Sequence, residues 1–206
     1  MTRREFVSTA AALAIPANSQ TPLVAPVNLV MDSRAKCTPQ QLRRFFSSIW
    51  PEAVRDFNRC GIQLQSNQRT GEIKLSPGGR PIFTGLERGA INVVVTDRIP
   101  MAWDNGRALL GVTTRSEGYH LCLIALSYAH GHQIPFFSVN TCVHELLHVL
   151  LQDVFVSRPT GLPGDGREFR IDWYATRLWL FHDGAVIRKS AQAYLDRLRS
   201  AVTARA

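Results

Sequence analysis

The sequence predicts an α+β fold, a small mixed β-sheet packed on two helices, with flanking helices at both ends. Two observations carry this. Apolar, β-branched or alternating runs at 62–66, 89–100 and 119–127 sit together in the middle of the chain. Helical patterns lie outside them, over 38–60 on one side and from about 140, over 167–182 and over 185–202 on the other. Strands grouped between helices, not alternating with them, suit α+β packing. At 206 residues, 45% hydrophobic and 19% charged, the chain suits a single domain over 21–206 with a full core, its last helix within 185–206.

The elements follow in order. After a Pro-containing lead with a short strand at 27–31, "TPQQLRRFFSSIWPEAVRDFNRC" reads helical, with Thr38 as N-cap and Pro39 at the first helical position. Pro51 kinks or divides this helix and Gly61 ends it. "IQLQS" alternates as a strand should, and "GEIKLSPGGRPIF" reads as a hairpin arm and a Pro/Gly loop. "GAINVVVTDRIP" is the clearest buried strand, "ALLGVTT" a short one, and "YHLCLIALS" a second apolar strand. "SRPTGLPGDG" at 157–166 is a loop by composition.

Charge excludes little. The 24 Lys and Arg against 16 Asp and Glu leave a net charge of +8, but the charges are scattered and no aromatic-and-basic motif accompanies them, so no specific nucleic-acid partner is expected. No stretch approaches the 18 apolar residues of a membrane span, so no transmembrane anchor is expected. Cys37, Cys60, Cys122 and Cys142 fit two disulfides or four thiols, and thiols are the reading adopted. A straight helix would hold Cys37 and Cys60 about 30 Å apart, beyond disulfide reach, although a break at Pro51 leaves that pairing open. "MTRREFVSTAAALAIPANSQ", with Arg3, Arg4 and Phe6 ahead of a short Ala-rich run, resembles a twin-arginine export signal. Residues 1–20 are therefore set apart from the fold. The twin-arginine machinery is the expected partner and a periplasmic or extracellular site the expected location.

"VNTCVHELLHVLLQD" carries the chemistry. His144 and His148 are one helical turn apart and project from one face, so both imidazoles can reach one ion. Glu145 is turned by about 100°, which suits a general base acting on a zinc-activated water. A catalytic zinc takes three protein ligands. Asp153, five residues past His148, falls on the wrong side of a continuing helix, and Asp165 lies in the Gly-rich loop. "GREFRIDWYATRLW" is a helix with Glu168 and Asp172 on one face, and either carboxylate can be the third ligand.

With Glu168, Asp172, Tyr174 and Ala175 spaced as E-x-x-x-D, an aromatic and a small residue, the chain resembles the gluzincins. These are zincin-type metallopeptidases whose third zinc ligand is a Glu on a second helix. The resemblance covers about 140–180. It implies one Zn2+ on His144, His148 and Glu168, Glu145 as catalytic base, and Asp172 accepting a ring N–H from a ligating histidine. It also implies a peptide or protein substrate. Tyr174 and His182 are candidates for stabilising the oxyanion. An edge strand ahead of the active-site helix would pair with extended substrate, and by position that strand is "YHLCLIALS". His120, His130 and His132 are read as surface or structural histidines. The alternative function is a non-catalytic, zinc-containing binding module on a peptidase scaffold.

Overall fold

The β-branched and alternating runs assemble into one five-stranded sheet and a small hairpin. In this computed structural model, which describes residues 21–99, 110–116, 118–126, 135–151 and 184–203, the strands are β1 (Leu23–Asp32), β2 (Ile62–Gly71), β3 (Ile73–Leu75), β4 (Pro81–Phe83), β5 (Ile91–Thr96), β6 (Gly111–Ser116) and β7 (Tyr119–Ala125). The sheet order is β2-β1-β5-β7-β6, and β3 pairs with β4 in an antiparallel hairpin. Every pairing in the sheet is parallel except β6 with β7. The fold is α+β, and its five-stranded sheet is mixed but mostly parallel.

The short strand expected at 27–31 is instead a ten-residue strand, paired with β2 on one side and β5 on the other. Pro26 conceals its length in the sequence, because a proline lacks the ladder donor. It is tolerated here because pairing with β5 starts one residue later, at Val27.

The helical stretch after β1 is α1 (Pro39–Arg44), a π-helical turn over Phe45–Ile49, and α2 (Trp50–Arg59). A complete capping box starts it: Gln41 N donates to Thr38 Oγ1 (3.2 Å) and Thr38 N donates to Gln41 Oε1 (2.6 Å). Pro51 sits in the first turn of α2 and does not end the helix. Proline has no N–H to offer the preceding turn, and the wider turn just before it absorbs that loss. Gly61, at φ 71°, takes the left-handed position that closes α2, with Gly61 N donating to Asn58 O (3.0 Å).

All described helices pack on one face of the sheet. Phe45, Ala53 and Phe57 are fully buried there with Ile62, Ile91, Val93 and Val95. They are joined by residues of α3 (Pro135–Leu150) and by Ile187, Ala191 and Leu195 of α4 (Gly184–Thr203). α3 begins five residues before the expected start near Asn140, and α4 spans nearly the expected 185–202. The opposite face holds a smaller cluster of Val30, Val94, Leu121 and Leu123, capped by Phe83, Leu86 and Tyr119. β5 is therefore buried on both faces, which its unbroken apolar run encodes.

A polar pair fastens that second face. Asn28 of β1 and Asn92 of β5 are register partners, both fully buried, and Asn28 Nδ2 donates to Asn92 Oδ1 (2.8 Å) and to Gly85 O (2.9 Å). Asn92 Oδ1 also accepts from Glu87 N (2.8 Å), and Asn92 Nδ2 donates to Glu87 O (3.1 Å) and Ala90 O (3.2 Å). The 85–90 segment is thus tied to the sheet through backbone groups that would otherwise be buried without partners.

All four cysteines are thiols. Burial, and after it the carboxylates of Asp97 and Asp32, pushes the Cys37 thiol up to about 11. Burial, and then Asp56, does the same to Cys60, with Arg59 opposing. The thiolate is the nucleophile, so against an ordinary value of 9.0 the thiolate fraction of each at pH 8 falls about 100-fold. Iodoacetamide labelling followed by peptide mass spectrometry is expected to be slow at pH 8 and to rise about tenfold per pH unit toward pH 11. Fast labelling at pH 8 would contradict this burial.

No helix among the described residues is long and apolar enough to cross a membrane. The export-like segment 1–20 and the stretch 167–182, expected to be a helix carrying Glu168 and Asp172, lie outside the described residues.

Candidate metal centre

α3 is apolar almost all round, and the structure seats it accordingly. Val139, Cys142, Val143, Leu146, Leu147, Val149 and Leu150 are buried, and the helix rests on β6 and β7 and beside α2. His144 and Glu145 are drawn inside with it, at 5% and 2% exposure.

The two histidines meet. His148 Nε2 lies 2.9 Å from His144 Nε2, with the rings edge to face and their centroids 4.4 Å apart. Two ligands of one tetrahedral zinc at ordinary bond lengths sit about 3.3 Å apart, so this pair needs little adjustment to share an ion. Burial, and secondarily His148, lowers the His144 pKa to about 3, and burial lowers that of His148. Both rings are therefore neutral near pH 7, the form in which imidazole ligates metals.

Glu145 is held from the sheet. Thr113 of β6 donates its hydroxyl to Glu145 Oε2 (2.6 Å), and the same Oγ1 is 3.0 Å from the Glu145 carbonyl. Cys122 of β7, the cross-strand partner of Thr113, donates its Sγ–H to that carbonyl (3.3 Å). Burial pushes the Glu145 carboxyl up to about 7, opposed by the Thr113 bond. A carboxyl poised there can take and return a proton near neutral pH.

The expectation for the edge strand needs correction. β7, "YHLCLIALS", is internal, paired with β5 on one side and β6 on the other. Among the described residues the antiparallel edge is β6, and it carries the Glu145 contact. Sequence position pointed to the strand nearest the helix, but the chain turns back between β6 and β7 and exchanges their places. Thr113 and Gly111 escaped the sequence reading because their role depends on a contact 32 residues away, which no local pattern records. The one available signal was a glycine and a threonine two apart in a strand, hence on one face.

Gly111 permits that approach. A Cβ there would stand 2.6 Å from Thr141 Cγ2 and 2.7 Å from Glu145 Oε1. Gly111→Ala is expected to push β6 off α3 and to destabilise the fold by about 1–3 kcal/mol in urea unfolding. An unchanged midpoint would show that the helix and strand are not in this contact.

Among the described residues, no three His, Cys, Asp or Glu converge on one point. Glu168, Asp172, Tyr174 and His182 lie outside the described residues, as do Asp153, Asp165, His130 and His132. His120 is described, and its ring rests against Tyr194 of α4, with centroids 5.1 Å apart. A scan against protein-family models finds no match to the chain, and a search of the curated proteins finds none either.

Proposed function

We propose that the protein is a zinc-dependent peptide-bond hydrolase of gluzincin-like type that acts outside the cytoplasm after twin-arginine export. His144, His148 and Glu168 would hold one Zn2+, Asp172 would orient a ligating histidine, and Tyr174 or His182 would face the oxyanion. The observation that carries the reading is the convergence of the two Nε2 atoms at 2.9 Å on one buried helix face. Zinc, when bound, supplies a Lewis acid and makes water acidic enough to attack near neutral pH. The chain's own contribution is proton handling at the Glu145 carboxylate, whose raised pKa suits a group that must both accept and return a proton. β6 supports the reading of substrate as an extended peptide. It is the antiparallel edge strand among the described residues, it touches Glu145 through Thr113, and strand addition along such an edge is a general mode of peptide recognition.

One feature favours the alternative of a non-catalytic module: Glu145 is 2% exposed and already engaged by Thr113. Metal content decides first. Mass spectrometry of the untagged protein is expected to find about one zinc per chain, lost on Glu168→Ala and mostly retained on Asp172→Ala. Zinc lost only in the Asp172 variant moves the third ligand one turn along the helix. No first-row metal, even after reconstitution, would sink the metalloenzyme reading.

A further inference from the structure

We propose that the crevice at the carboxyl ends of β1 and β5 is a second binding site, for a small oxyanion carrying a phosphate or carboxylate group. The topology makes the crevice. β1 and β5 are parallel neighbours, but the chain leaving β1 returns on one side as β2, whereas the chain leaving β5 continues on the other as β6 and β7. Connections that diverge from adjacent parallel strands leave an opening beyond the strand ends, where ligands of open parallel sheets characteristically bind.

Its walls carry the charge. Arg34 and Lys36 come from the segment after β1, and Asp97 and Arg98 from the segment after β5, around a cavity of about 360 Å³. Three cations thus face one carboxylate. The nearby Asp32 keeps its negative charge but is not among the residues that line the cavity, and its oxygens are engaged within the fold. Thr96 Oγ1 donates to its Oδ2 (2.9 Å), and Arg34 N (3.1 Å) and Ile73 N (3.3 Å) donate to its Oδ1. Among the described residues, no side chain of Arg34, Lys36 or Arg98 forms an ion pair within 4 Å, although Arg34 is close enough to help lower the Glu72 carboxyl, after Lys74. Two guanidinium groups and an ammonium gathered around a concavity match an oxyanion, since arginine offers paired N–H donors to planar or tetrahedral oxygens. The site needs neither histidine nor zinc, and its fate is separate from that of the proposed catalytic centre.

Isothermal titration of the whole protein at low ionic strength, with inorganic phosphate and separately with acetate, tests the proposal. One saturable site per chain is expected for at least one of them, and the tighter of the two names the ligand class. Arg34→Ala with Arg98→Ala should weaken binding about tenfold. Asp97→Asn should tighten it about threefold, and Arg199→Ala, on α4, should leave it unchanged. If the double variant fails to fold by circular dichroism, the exposed Lys36→Gln replaces it, with about threefold weakening expected. The proposal is overturned by absence of saturable binding, by equal weakening in Arg199→Ala, or by weaker binding in Asp97→Asn. Binding that a chelator alone removes belongs to the histidine pair and overturns it as well.

Discussion

Glu145→Gln is expected to leave zinc bound and to lower peptide hydrolysis by about 10²–10⁴-fold, the usual contribution of a positioned acid–base group. The substitution is nearly isosteric. Glutamine Oε1 can still accept the Thr113 hydroxyl that now reaches Glu145 Oε2, so the seat of α3 on β6 should persist. What disappears is the ability to carry a proton at a group poised near pH 7. The informative comparison is therefore zinc content and unfolding midpoint, both near parental, against turnover of a denatured-protein or mixed-peptide substrate. Equal turnover in parent and variant would remove Glu145 from the chemistry. Absence of turnover in both, with zinc present, would favour the binding module.

The second large effect lies on the other face of the sheet. Asn92→Leu is expected to destabilise the fold by about 3–5 kcal/mol, read as a shift of the urea midpoint. Asn92 partners the Asn28 amide, the Glu87 N–H and the carbonyls of Glu87 and Ala90, so leucine removes all four at once. Groups left buried without partners cost more than the bonds were worth. Adding Asn28→Val should recover part of the loss, because the stranded Asn28 amide goes with it. Strictly additive destabilisation would mean that the two side chains do not share a bond.

The legible parts of the molecule were those written locally. The N-cap at Thr38, the end of α2 at Gly61 and the burial of β5 each depend on residues within a few positions. So does the meeting of His144 and His148, since a four-residue spacing on a helix is enough to bring two rings together. The illegible parts depended on partners far along the chain. Pro26 argued against a long strand, and only the register with β5, which begins at Val27, shows why it is harmless. β6 was legible as the short strand "ALLGVTT", but its part in the site was not, because its face toward α3 is a glycine and a threonine, small groups that the closeness of the helix requires. Arg34 and Arg98 line one cavity only because two strands 64 residues apart are neighbours.

The internal place of β1 in the sheet has a kinetic consequence. It is the first strand in the chain, yet its partners begin 39 residues later at Ile62 and 64 residues later at Ile91. β7, which must enter between β5 and β6, ends only at Ala125. The sheet therefore cannot close on the growing chain until well over half of it has been synthesised, and such non-local pairing places folding at the slow end for a domain of this size. Meanwhile "LVAPVNLV" waits as an apolar strand with two open edges, the segment most in need of protection from its own kind.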